Sequence, residues 1–407
     1  MDSRFIVAQN GARHGYAVPY SLATLELLER FYTDICGNVG FGKLLAQGKK
    51  MPVIGDRLYR LAGRQVPIEI QPLTYTFALP NLRWLTRTTL SSRDENSQFR
   101  LSCLKSLELG HAMVQAGFGK ATHLYSMLGE FPPLLIAAEQ QGLKVISDVY
   151  ILLSTERILA EERKSFPAWE PDPPNYDAIR QELLPENVLL TRTQVFICPS
   201  EAVQDDLVQN YGIQATQTAV VPYGINPTFF DLKPNPIPRR ILFVGTANLR
   251  KGIHYLAMAA EQLAKSGYQY EFRIAGNVDT AIVEKNICKH LKFLGRIPRD
   301  KIHQEFATAD VFVLPSLAEG SAGVTYEALG AGVPVVTTRA SGSVVRDGIE
   351  GYIVPERHPE AISRAIAEIV EDRSKRERMA IAARERSQAF TWTRYGERLI
   401  NTLKILS

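Results

Sequence analysis

Long hydrophobic runs are missing from this sequence. Apolar stretches such as LLIAA (134–138) and VYILL (149–153) have the length of core segments and fall well short of a membrane span. Cysteine is scarce: Cys36, Cys103, Cys198 and Cys288 lie far apart, with no C-x-x-C pair and no histidine at zinc-finger spacing. They read as free thiols in a reducing compartment, which argues against a disulfide scaffold and a structural zinc. Neither an internal repeat nor a low-complexity tract occurs. Net charge is only +4, too small a surplus to imply a nucleic-acid partner. The first apolar run, FIVAQ (5–9), reads as a strand, so no signal peptide is expected, and a cytoplasmic location reaching to the inner face of a membrane is.

What is present is ordinary for a globular chain. Apolar residues make up 45% and charged residues 22% of 407 positions, enough for about two or three domains with sizeable cores. The charge is unevenly spread. Residues 38–93 carry nine lysines and arginines (Lys43, Lys49, Lys50, Arg57, Arg60, Arg64, Arg83, Arg87, Arg93) against Asp56 and Glu69, leaving −3 elsewhere. A helix over Asn81 to Leu90 would bring Leu82, Leu85 and Thr89 together, with Arg83 and Arg87 beside them and Trp84 at the flank. Such a basic, aromatic segment suits peripheral contact with anionic lipid headgroups.

Strand and helix signals alternate along the chain. After the first strand, the loop NGARHGYAVPYS leads into a helix expected from about Leu22 to Phe31. THLYS, LKVISDVY and VFICPS read as further strands, with Ser200 capping the helix after the last. A second series starts near 240 with ILFVGTANLRKG and runs through EFRIAG, KFLG, a helix from Arg299 to Ala309 and GYIVP. A charge-laced segment over 372–388 reads as a solvated helix face, and FTWTRYGERLINTLKIL as a closing amphipathic helix.

The most informative stretch is DVFVLPSLAEGSAGVTYEALGAGVPVVTT (310–338). A β-branched run, Val311 to Leu314, meets a Pro-Ser break and a Glu-Gly loop. A helix follows from about Ala322 to Leu329, stopped by Gly330 and Gly332, and Pro334-Val335-Val336 opens another buried strand. In open α/β sheets the loop after the first strand of such a unit binds ligands. The helix start offers N–H groups near Ala322, Gly323 and Val324 and a positive dipole end, which suits a phosphate. Gly320 and Gly323 allow close backbone approach, and Ser321 lies between the two glycines, just ahead of the helix. Glu319 and Glu327 supply two carboxylates eight residues apart.

Pro-Ser, Glu-Gly, Glu-x7-Glu and Gly-x-Pro-Val-Val together resemble the retaining glycosyltransferases of family 4. The resemblance implies an α/β fold of GT-B architecture: two Rossmann-like doubly wound domains facing a cleft, with the C-terminal helix crossing back. It covers 240–355 strongly and 1–220 weakly. The implied domains are an acceptor-binding unit over 1–221, a nucleotide-sugar-binding unit over 222–390 and the returning helix over 391–407. The implied activity is transfer of a sugar from a UDP- or GDP-linked donor to a glycan or lipid-linked acceptor, in exopolysaccharide, lipopolysaccharide or glycolipid synthesis. No cofactor and no metal are implied, and no D-x-D triplet is present.

By the same resemblance, Lys251 holds the pyrophosphate, Glu327 the ribose hydroxyls and Glu319 the transferred sugar. Gly245 opens the phosphate loop. Thr246 stands where the family has an arginine; Arg250 is the candidate substitute, although neighbours at a helix start usually point apart. Gly295 and Arg296 match the base-contacting loop. The loop after the first strand contributes Gly11, Arg13, His14, Gly15 and Tyr16 as candidates for the acceptor or the phosphates. Tyr125 aligns with a frequent family histidine and Asp148 with a second; with Glu130 they are candidates for positioning the acceptor. His123 is expected in the core, facing away from Tyr125. Rival readings are a GT-B nucleotide-sugar epimerase, a pyridoxal-dependent phosphorylase and a non-catalytic nucleotide-sugar-binding scaffold.

Overall fold

The structure is a computed structural model that describes residues 3–47, 62–77, 80–81, 83–84, 87, 94–184 and 186–406. Lys49, Lys50, Arg57, Arg60 and Arg93 of the basic stretch lie outside the described residues, as do Leu82, Leu85 and Thr89 of the expected lipid-facing helix.

Two wholly parallel sheets organise the described residues. The first has β1 (Phe5–Gln9), β2 (Leu28–Thr33), β3 (Thr74–Thr76), β4 (His123–Met127), β5 (Lys144–Asp148), β6 (Val195–Cys198) and β7 (Thr218–Val220), in the order β3-β2-β1-β4-β5-β6-β7. The second has β8 (Arg240–Val244), β9 (Glu271–Ala275), β10 (Leu291–Gly295), β11 (Val311–Leu314), β12 (Val335–Thr338) and β13 (Gly351–Val354), in the order β10-β9-β8-β11-β12-β13. In each sheet the order reverses between the first and fourth strands, β1/β4 and β8/β11. The carboxyl ends there form the crevice that takes ligands in doubly wound folds. Every residue of β1, β4 and β11 is buried, because helices cover both faces.

The final helix, Trp392–Leu406, returns to the first sheet as expected. Tyr395, Leu399, Ile400 and Leu403 form an i, i+4, i+5, i+8 stripe within the core that holds Phe5, Val7 and Tyr125. Gly396 lies against Ser21 of the helix Ala17–Ala23. The chain crosses between the halves twice, side by side, where the Ile225 N–H donates to Phe390 O at 2.7 Å.

Several expectations need correction. Residues 28–33 form strand β2, and the helix lies earlier, over Ala17–Ala23. Leu, Glu and Arg favour a helix locally, but pairing of Phe31, Tyr32 and Thr33 with β1 overrides that preference. The helix expected from Arg299 spans Ile302–Thr308. The helix Arg373–Ser387 is more than a solvated face, since Arg376, Met379 and Ala383 are buried. Pro80, Asn81, Arg83, Trp84 and Arg87 are helical, but Trp84 is only 4% exposed and donates to Glu108 at 2.6 Å, so it is no lipid anchor. His123 stacks on Phe5, on the same face as Tyr125. Residues two apart in a strand share a face, so the opposite placement was geometrically untenable.

Candidate active site

The second switch point is built from the loops after β8 and β11. Gly252 starts the helix Ile253–Lys265 at φ +69, and a β-carbon there would stand 2.0 Å from Pro315 O. Only glycine meets both demands, and its presence lets the two loops touch. The Leu317 N–H then donates to Arg250 O at 2.8 Å. Lys251 lays its aliphatic stem along Gly245, and its backbone N–H donates to Asn248 Oδ1 at 3.0 Å.

Arg250 and Lys251 converge. Arg250 Nη1 lies 2.5 Å and Lys251 Nζ 2.8 Å from Glu319 Oε1, correcting the expectation that these neighbours point apart. Arg250 turns back because its guanidinium also donates to Ala318 O at 3.1 Å. Thr246 is exposed and makes no part of this cluster. Burial pushes the Lys251 ammonium down, and Glu319 opposes that shift. Two cations facing one carboxylate leave an excess of positive charge at the mouth of a helix.

That helix spans Gly323–Gly330. The Ala322 N–H is taken by Ser341 O at 2.9 Å, so of the three expected donors Gly323 and Val324 keep that role. Ser321 is held by Gly342 O and Tyr326. Glu327 stands one turn in, half-buried, and burial pushes its carboxyl up to about 7 against the pull of Arg299. A cavity of about 1320 Å³ opens here, lined by Glu327, Arg299, Ser321 and Gly323 from the second half and by Ala12, His14 and Gly15 from the first. Gly295 and Arg296 are not among its lining residues, and neither are Arg250, Lys251, Glu319 and Gly320, which precede Ser321 and Gly323 in sequence; Gly295 accepts from the Gly276 N–H and Arg296 is exposed. The sequence reading missed Arg299, three residues beyond Arg296, along with Tyr223 and Trp392, which wall the same cavity.

The loop after β1 is clamped by two carboxylates. Glu130 Oε2 accepts from Asn10 N–H at 3.0 Å and Asp34 Oδ1 from Gly11 N–H at 2.9 Å. Each carboxylate has its own arginine, Arg13 with Glu130 and Arg64 with Asp34, both at 3.0 Å. Arg13 also lies over the Tyr150 ring and donates to its hydroxyl at 2.6 Å. His14 packs on Tyr223 and Trp392, and burial beside Arg13 pushes it down to about 4, so it is neutral at ordinary pH. Tyr16 is buried on Phe31.

Tyr125 and Asp148 are not open to this cavity. Both are buried, and the Tyr125 hydroxyl donates to Asp148 Oδ2 at 2.9 Å. Burial pushes the Asp148 carboxyl up to about 6. Tyr395 from the returning helix packs into the same core as Tyr125. The two halves meet closely beside it. Ser200 Oγ donates to Gly320 O at 2.6 Å while it caps its own helix at Val203.

Among the described residues no helix is long and apolar enough to cross a membrane.

Residues 225–386 match the family model of glycosyl transferases group 1. The chain is similar to an uncharacterised glycosyltransferase of Methanocaldococcus jannaschii, 25% identical over 51% of this chain and 59% of that protein. It is also similar to the amylovoran biosynthesis glycosyltransferase AmsK of Erwinia amylovora, 26% identical over 57% of this chain and 56% of the relative. The chain thus spans a little over half the length of these two curated relatives. The solved sucrose-phosphate synthase of Thermosynechococcus elongatus superposes with a TM-score of 0.67 at 17% identity, covering 99% of both chains, a likeness of fold. The fold is that of the GT-B structures, and the second half of the chain, over 225–386, is similar to the group 1 glycosyl transferases.

Proposed function

We propose that this chain is a retaining, metal-independent glycosyltransferase of family 4 that moves a sugar from a nucleotide-diphospho-sugar to a glycan or lipid-linked acceptor. The observation that carries the reading is the convergence of Arg250 and Lys251 on Glu319 at the mouth of the helix that bears Glu327. Charge develops on the departing diphosphate, and two fixed cations with the N–H groups of Gly323 and Val324 are suited to stabilise it. In this reading Arg250 replaces the arginine that Thr246 lacks. The diphosphate competes with Glu319 for both cations and frees its carboxylate for the sugar hydroxyls, while Glu327 accepts from the ribose diol. The acceptor enters from the Arg13–His14 side, and the departing phosphate oxygen takes its proton.

A binding screen of UDP, GDP, ADP and their common sugars without added metal tests this, with Lys251→Ala and Glu327→Ala as controls. Tight binding of one nucleotide, lost in both variants, is expected; no binding by the wild type overturns the reading. Transfer from an α-linked donor to an acceptor should give an α-linked product by NMR.

The membrane contact is carried by the helix Gly40–Gln47, which exposes Phe41 (44%) and Leu44 (61%) beside Lys43. Neutralising Lys43, Lys49 and Lys50 together should abolish sedimentation with anionic vesicles; unchanged sedimentation would remove this claim.

A further inference from the structure

A segment of the first half is built into the second. Leu159 and Trp169, which follow β5 and precede β6, belong to the core that surrounds β8 and β11. Between them Glu162, 2% exposed, accepts from three groups of the other half: His254 Nε2 at 2.8 Å, the Tyr255 hydroxyl at 2.6 Å and Arg357 Nε at 2.7 Å. These bonds hold the Glu162 carboxyl down near 2 despite its burial, and His254 is kept down by burial. Glu170, nearby, accepts from the backbone N–H of Leu249 at 2.7 Å and is steadied by Arg163 at 3.6 Å.

The positions of these contacts in the sequence matter. Leu249 immediately precedes Arg250 and Lys251; Gly252 follows, and then His254 and Tyr255 open the next helix. The cation pair therefore sits between two anchor points, both supplied by carboxylates of the other half. Neither carboxylate reaches the diphosphate site itself.

The geometry points to Glu170 and Glu162 as positioning residues for donor binding: Glu170 pins the loop ahead of Arg250 and Lys251, and Glu162 pins the turn behind them. This rests on the reading of the Arg250–Lys251 cluster as the nucleotide-diphosphate site. The consequence is that nucleotide affinity, a property of the second half, depends on side chains of the first.

Glu170→Ala and Glu170→Gln in the full chain separate positioning from bulk stability. Glutamine keeps an oxygen that can accept the Leu249 N–H, and alanine does not. Glu170→Ala should weaken UDP or GDP binding about tenfold, the loss expected for one charge-assisted hydrogen bond. Glu170→Gln should restore most of it, with the melting temperatures of both close to wild type and the effect in the donor KM rather than kcat. Hydrogen exchange of the Leu249 amide in ligand-free protein, fast in the alanine variant and slow in the glutamine variant, reads the bond without any ligand. Wild-type affinity in Glu170→Ala, or equal weakness in both variants, overturns the proposal. If the wild type binds no nucleotide while Leu249 stays protected, the brace exists but the proposed function falls, and this role for it falls too.

Discussion

Gly320 lies against Tyr150 so closely that a β-carbon on the glycine would stand 1.8 Å from the Tyr150 carbonyl oxygen. This contact joins the loop after β11 to the loop after β5, so the halves meet through backbone where a side chain would hold them apart. Gly320→Ala should leave each half folded, with a melting temperature within a few degrees of wild type, but widen the cleft and cut transfer. Small-angle scattering checks it; an unchanged profile would show that the halves can approach without this glycine.

Glu319 holds two cations, Arg250 and Lys251, and Glu319→Gln removes the competing charge while keeping the volume. Nucleoside diphosphate binding should therefore hold or tighten, while kcat for transfer falls by about tenfold or more because the sugar loses an anionic acceptor group. Calorimetry with UDP or GDP alongside steady-state kinetics separates the two. A matching loss in both would place Glu319 in the nucleotide site instead.

The Glu327 carboxyl, raised from 4.5 to about 7 by burial, titrates near neutrality. Its neutral form is favoured in the folded chain, so its contribution to stability is full below the ordinary value and is lost as pH rises through about 7. Ribose binding has the opposite preference, since only the carboxylate is a pure acceptor. Nucleotide affinity should therefore strengthen as pH rises through about 7, and Glu327→Gln should flatten that slope in a pH series of binding isotherms.

Tyr125 and Asp148 offer a test of what the family resemblance implied for them. Tyr125→Phe removes a hydrogen bond to a buried carboxyl and should cost about 1–3 kcal/mol of stability. Since both groups are fully buried and bonded to each other, kcat measured well below the melting transition should stay within about twofold of wild type. A fall of a hundredfold at full folding would restore a direct role.

The unit around β11 was legible because its signals are local: a β-branched run, Pro315, the glycines and the start of a short helix fall within thirty residues. Both acids fall within that unit, whereas Lys251, in the loop after β8, was named only through the family resemblance. The strand over 28–33 was not legible, since its local propensity is helical and only its partner β1 decides otherwise. Arg250 was misjudged because its direction is set by the Ala318 carbonyl, 68 residues away. Glu162 was out of reach for sequence reading: its partners His254 and Arg357 lie 92 and 195 residues on. A charged helix with a buried glutamate looks, in one dimension, like any solvated helix.

The burial of Leu159 and Trp169 in the second half's core bears on how this molecule can be recombined. Cutting at the two crossings near 221 and 390 looks like a clean way to exchange donor specificities between relatives. It would leave the transplanted half with two unfilled apolar sockets and with His254, Tyr255 and Arg357 stripped of their shared carboxylate. A graft that also carries residues 155–170 would bring its own plug. The natural unit of exchange is therefore discontinuous in sequence, and swapping halves at the obvious seams should yield insoluble chimeras until that plug travels with them.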